Sequence, residues 1–128
     1  MTRLTEEFMR AFRQYETTGE LAPLLALFDD DAEALNLGRT EPARGLDQVD
    51  GFWRDHRSIF RAVRTDFTHV IEGKDGAVLE WVSRGTLLNG EPVEYKGVSV
   101  LETGGDRIQR YRTYYDSAVF LPGSAKAD

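Results

Sequence analysis

The second half of the chain constrains the fold most. Four β-prone segments, residues 65–71, 78–88, 93–102 and 107–116, alternate with the turn signals Gly73-Lys74-Asp75-Gly76, Asn89-Gly90 and Gly104-Gly105-Asp106. Connections so short join antiparallel neighbours, because a parallel crossover needs a dozen or more residues. The segments therefore read as a meander, closed by the aromatic run Arg110-Tyr111-Arg112-Thr113-Tyr114-Tyr115-Asp116.

Helical periodicity precedes it. Leu4, Phe8, Ala11, Phe12 and Tyr15 recur at spacings of three and four and predict an opening helix that stops near Gly19. Residues 21–28 read as a second helix with Pro23 in its first turn, broken by Asp29-Asp30-Asp31 into a short strand over 32–37. A third helix is predicted over about 46–63, with Val49, Phe52, Trp53, His56, Ile59, Phe60 and Val63 as its apolar stripe. Helices first and a meander afterwards predict an α+β fold: a curved antiparallel sheet wrapped around N-terminal helices, cone-shaped with an internal pocket. The 128 residues suit one domain, with an ordered core over about 4–121 and a flexible tail over 122–128.

Composition narrows the chemistry. Zero cysteines remove disulfides, thiol nucleophiles and thiolate metal sites, and two histidines give poor material for zinc, so no metal and no cofactor is expected. The net charge of −6, with 16 Lys and Arg scattered among 22 acids, argues against nucleic acid. No apolar run approaches the roughly 20 residues of a membrane span, and the N-terminus carries no apolar leader-like stretch, so a cytoplasmic protein is expected.

Three short patterns occur in order: Gly19-Glu20-Leu21 before Leu27-Phe28-Asp29-Asp30-Asp31-Ala32, then Arg44-Gly45 opening the third helix, then the Tyr114-Tyr115-Asp116 ending. Their order and spacing over residues 4–121 resemble the SnoaL-like branch of the nuclear-transport-factor-2-like superfamily. That resemblance implies the curved sheet and the helix-lined pocket, and it permits a comparison of catalytic positions. Where ketosteroid isomerase carries a tyrosine, a carboxylate base and a carboxylic acid, this chain has Phe12, Asn36 and Val98. The triad positions of limonene-epoxide hydrolase are taken by Trp81, Ser83 and Thr113, with Asn36 matching an asparagine and Ala34 replacing a tyrosine. Neither acid–base mechanism is expected with these residues.

Strand alternation gives an independent list for the pocket. With Trp81 and Ser83 inward on one strand and Tyr111, Thr113 and Tyr115 on another, the lining adds Val98 and Val100 from the strand between, Asn36 from the first strand, and Trp53, His56 and Phe60 from the third helix. Such a surface, aromatic and aliphatic with a few neutral hydrogen-bonding groups, suits a small apolar or cyclic molecule. Tyr95, Gly97 and Ser99 then fall on the convex face, where a homodimer through the sheet is expected. In the opposite register Arg112, Tyr114 and Asp116 face inward, and Asp116 is the candidate general acid/base, as the aspartate of SnoaL-type polyketide cyclases is, with Arg112 lowering its pKa.

Each candidate has a plainer reading. Asp116 can cap the turn at Ser117-Ala118 and pair with an arginine; His56 can be a hydrogen-bonded core histidine; Trp53 and Phe60 can be core and pocket wall; the Asp29–Asp31 run can be a solvated turn. Three functions stay open: a small-molecule-binding pocket protein, a cyclase-, isomerase- or hydratase-type enzyme using Asp116 with Arg112 or a histidine, and a dimeric interaction module.

Overall fold

The computed structural model describes residues 2–121, so the tail expected to be flexible, 122–128, lies outside the described residues. Helix α1, Arg3–Thr18, begins where the Thr2 hydroxyl accepts from the Thr5 N–H (3.2 Å) and ends where the Gly19 N–H returns to Tyr15 O (2.9 Å). Its apolar stripe buries Phe8, Ala11, Phe12 and Tyr15, as the spacing predicts, and continues into Glu16.

Helix α2 is shorter than its sequence suggests, Ala22–Leu25, and strand β1 already starts at Phe28, Phe28–Asn36. The three aspartates belong to this strand and not to a turn. Phe28, Ala32 and Ala34 point inward, a register shift absorbs the residues between Phe28 and Glu33, and Asp30 and Asp31 are exposed. A two-residue strand β2, Ala43–Arg44, leads into helix α3, Gly45–Ser58, whose entry is capped by Gln48 Oε1 accepting from the Arg44 N–H (2.9 Å). Helix α3 stops five residues short of the expected end, since Phe60 to Val63 pair with β4. An aromatic and a β-branched residue that suit a helical stripe suit a strand equally well, and the ladder decides.

Strands β3, Phe60–Gly73, β4, Gly76–Leu87, β5, Pro92–Gly104, and β6, Arg107–Tyr115, form the predicted antiparallel meander. Pairing of β1 with β6 is parallel, which makes the curved six-stranded sheet mixed, in the order β2-β1-β6-β5-β4-β3, and it is not closed. The helices cover its concave face, where Phe8, Phe12, Phe28, Phe52, Trp53 and Tyr111 form the main core. A second aromatic cluster, Phe60, Trp81, Val93 and Tyr95, lies toward the end of the sheet where β3 begins and β4 and β6 finish.

The register corrects one sequence expectation. Trp81 pairs with Gly97, Ser83 with Tyr95, and Thr113 with Ser99. Directly opposed residues share a face, so placing Trp81, Ser83 and Thr113 inward also turns Gly97, Tyr95 and Ser99 inward. Tyr95 is 5% exposed and Ser99 2%. Val98 and Val100 therefore leave the pocket lining for the convex face, opposite Tyr114 and Arg112. Gly97 lies directly beneath the Trp81 indole, which a Cβ there would overlap.

Candidate functional site

Inside the sheet the predicted lining residues are present, yet they bond mainly to one another. The Trp81 indole N–H donates to Ser99 Oγ (2.9 Å), and that oxygen also lies 3.0 Å from Tyr111 Oη and 3.0 Å from Thr113 Oγ1. Burial pushes the Tyr111 phenol up to about 12, so it stays protonated. Trp53 and Tyr111 sit in the main core with ring centroids 4.9 Å apart, while Phe60, Trp81 and Tyr115 belong with the second cluster. Trp53 thus belongs to one cluster and Phe60 and Trp81 to the other, with His56 between them, 6.0 Å from Trp53 and 6.1 Å from Phe60. His56 is largely enclosed, and burial pushes its pKa down to about 4, so the ring is neutral. Asn36 stands at the end of β1, its side-chain oxygen accepting from the Gly38 N–H (3.0 Å).

A second buried chain was not anticipated. Glu16, on the inward face of α1, accepts from the Thr65 N–H (2.8 Å) and the Thr65 hydroxyl (2.6 Å), and Thr65 Oγ1 lies 2.6 Å from Ser83 Oγ. Tyr95 stands directly opposite Ser83 across the β4–β5 ladder, and burial holds its phenol well above the ordinary pKa. Burial raises the Glu16 carboxyl to about 7, with the Thr65 bonds offsetting part of that effect. Its signal in the sequence is position: four residues after Phe12 and eight after Phe8, it continues the apolar stripe with an acid.

The two expected catalytic residues are not brought together. Asp116 is exposed and its Oδ1 accepts from the Ala118 N–H (3.1 Å), starting the 3-10 turn Ser117–Phe120. Arg112 lies on the convex face, paired with Glu102 alongside Arg110, and these arginines hold the Glu102 carboxyl below the usual range. The plainer reading of Asp116 thus describes its geometry, with one amendment: its partner is a backbone N–H and the arginine pairs elsewhere. Among the described residues no cluster of three His, Asp or Glu side chains could hold a metal.

One solvent-open groove lies at the end of the sheet. With a volume of about 730 Å³, it runs between the end of α3, the β4–β5 turn and the 3-10 turn, lined by Ser58, Ile59, Leu87, Leu88, Asn89, Tyr115, Ser117 and Phe120. Tyr115 is the only predicted pocket residue in that lining; Phe120 joins it to the second aromatic cluster, 4.9 Å from Tyr95. The sequence reading missed Glu16, Tyr95 and the groove-forming turns.

A family model for the SnoaL-like domain matches residues 5–111. The chain belongs to the SnoaL-like family. Solved structures agree on the fold of this SnoaL-like chain. An NTF2-like protein of unknown function from Burkholderia pseudomallei superposes with a TM-score of 0.81 at 20% identity, over 94% of this chain and 96% of that one. A putative SnoaL-like polyketide cyclase from Jannaschia sp. gives 0.82 at 13% identity, over 98% and 92%. A ketosteroid-isomerase-like-fold protein from Catenulispora acidiphila, in complex with trimethylamine, gives 0.79 at 21%, over 92% of each chain. No curated protein sequence matches this SnoaL-like chain.

Proposed function

We propose that this SnoaL-like chain binds a small, largely apolar, cyclic molecule at the open end of its sheet. One observation carries the reading: the groove lining is mostly apolar and continuous, through Tyr115 and Phe120, with a buried aromatic cluster. Concave apolar surfaces with a few polar groups at the rim, here Ser58, Asn89 and Ser117, are what small ligands use. The Catenulispora relative was solved with trimethylamine, and the Jannaschia relative is described as a putative polyketide cyclase, so small-molecule work is known or suggested for this fold. The test is thermal stabilisation by a panel of apolar cyclic compounds. Leu88 is 62% exposed in the groove wall, so Leu88→Glu leaves the parent melting temperature within about 2 °C and abolishes the ligand-induced rise. Ligands that stabilise Leu88→Glu as well as the parent would place the site elsewhere.

Acid–base catalysis is a second reading, and it now rests on Glu16. That carboxyl is buried and burial raises it to about 7, whereas Asp116 is a solvent-exposed cap that makes no ion pair among the described residues.

Assembly follows the corrected register. A homodimer through the sheet uses the convex face carrying Val98, Val100 and Tyr114, the last 45% exposed, since Tyr95 and Ser99 face inward. The double variant Val98→Lys, Tyr114→Lys is expected to be a folded monomer and the parent a dimer by light scattering. A monomeric parent at micromolar concentration removes the assembly proposal.

A further inference from the structure

Phe120 is the least anchored ring of the second aromatic cluster. Its centroid lies 4.9 Å from Tyr95, 6.0 Å from Tyr115 and 6.4 Å from Phe60. Phe60, Trp81 and Tyr95 are strand residues and buried; Phe120 is carried by a 3-10 turn and half-buried. That turn is tied down by the Asp116 N–H donating to Lys96 O (3.2 Å) and by the Asp116 cap on Ala118. Swinging it outward costs these two bonds and leaves the β5–β6 pairing from Gly97 with Tyr115 onward intact.

Beside the same rings runs the hydrogen-bonded chain Glu16–Thr65–Ser83, with Tyr95 directly opposite Ser83 across the β4–β5 ladder. A carboxyl and three hydroxyls give up hydration to stand there, and in a seat that serves packing alone apolar groups do the same work without that loss. Sealed under an aromatic ring on a lightly held turn, the polar chain makes chemical sense as the floor of a site. The Tyr95 phenol is held protonated by burial and can donate to an incoming oxygen.

We infer that Phe120 is a stopper standing in a cryptic seat, walled by Phe60, Trp81, Tyr95 and Tyr115 and floored by the Ser83–Thr65–Glu16 chain, that receives a planar ring bearing a hydrogen-bonding oxygen. The inference rests on the small-molecule reading of the groove and names its deeper subsite. Asp116 then sets how readily the stopper leaves, a positioning role in place of a catalytic one.

The population of the open state governs apparent affinity. If the seat is free about a tenth of the time or less, removing the stopper tightens binding about tenfold or more. Fluorescence titration of the full chain with 2-naphthol, and with naphthalene as its hydroxyl-free counterpart, reads this out. Phe120→Ala is expected to bind 2-naphthol about tenfold more tightly than the parent, and Asp116→Ala, which frees the turn but keeps the ring, about two- to threefold. Tyr95→Phe placed in the Phe120→Ala background brings 2-naphthol down to the affinity of naphthalene. A folded Phe120→Ala that binds no better than a binding parent overturns the stopper while leaving the groove reading standing. Absence of binding in parent and variants alike overturns both. Should Phe120→Ala lose its cooperative melt, Phe120→Leu together with Asp116→Ala carries the same comparison, and unchanged affinity in both refutes the inference.

Discussion

Replacing Trp53 with alanine lowers the unfolding free energy by about 3–5 kcal/mol and the melting temperature by about 10–20 °C. The indole is 1% exposed and touches the rings of Phe8, Phe12, Phe28, Phe52 and Tyr111, so truncation opens a cavity where helices α1 and α3 meet the sheet. Five neighbouring rings held by strands and helices have little room to collapse into the space. Trp53→Phe costs much less, about 1–2 kcal/mol, because it keeps most of the ring contacts. It also deletes an indole N–H that has no acceptor among the described residues. Urea unfolding at neutral pH checks both. Equal losses for the two variants would mean that the aromatic core does not meet at Trp53.

Periodicity made much of this architecture readable. The stripe of α1 and the alternation along β4 and β6 each repeat often enough that one misfit residue does not hide the face. Long-range pairing is less legible. The parallel contact of β1 with β6 joins residues some 80 apart, Phe28 with Ile108, and no local pattern announces it. A single loop residue accounts for the reversed β5 face. A two-residue turn at Asn89-Gly90 would pair Trp81 with Val98 and put Val98 and Val100 inward. The observed loop is one residue longer: the Gly90 N–H returns to Leu87 O and the Leu87 N–H donates to Glu91 O, with Gly90 at φ 90°, so Trp81 meets Gly97. One residue of loop turned every β5 side chain to the other face.

The polar interior was only half legible for a similar reason. Thr113, Tyr111 and the Trp81 N–H follow from alternation, yet their satisfaction by Ser99 depends on that same register, and Ser83 bonds Thr65 instead. Glu16 lay in plain view on the α1 stripe. What marks it as a buried acid is Thr65, 49 residues away on β3, which supplies both of its hydrogen bonds.

Glu16 and His56 give the largest expected pH effects, and they oppose each other. Burial raises the Glu16 carboxyl from 4.5 to about 7, so between those values the folded chain holds a proton that the unfolded chain has released, and stability falls as pH rises through this window. Burial lowers His56 from 6.5 to about 4, so there the unfolded chain holds the extra proton and stability rises with pH. Each displacement is worth at most roughly 3 kcal/mol, and from about 4.5 to 6.5 the two slopes largely cancel in the parent. Single variants uncover them. Glu16→Gln keeps an acceptor and a donor for Thr65, and its stability relative to the parent climbs by about 2–3 kcal/mol between pH 4.5 and 7. His56→Phe keeps a ring among Phe12, Trp53 and Phe60 and removes the proton, so its stability relative to the parent falls as pH rises from 4 to 6.5. Taking differences from the parent cancels the exposed carboxylates. The charges of Arg13 and Asp66 pull the Glu16 pKa in opposite directions and trim the amplitude without changing its sign. Urea titrations at intervals of one pH unit from 4 to 8 give both profiles, and a flat difference curve for Glu16→Gln would show that the carboxylate is solvated and that no buried acid stands on the inward face of α1.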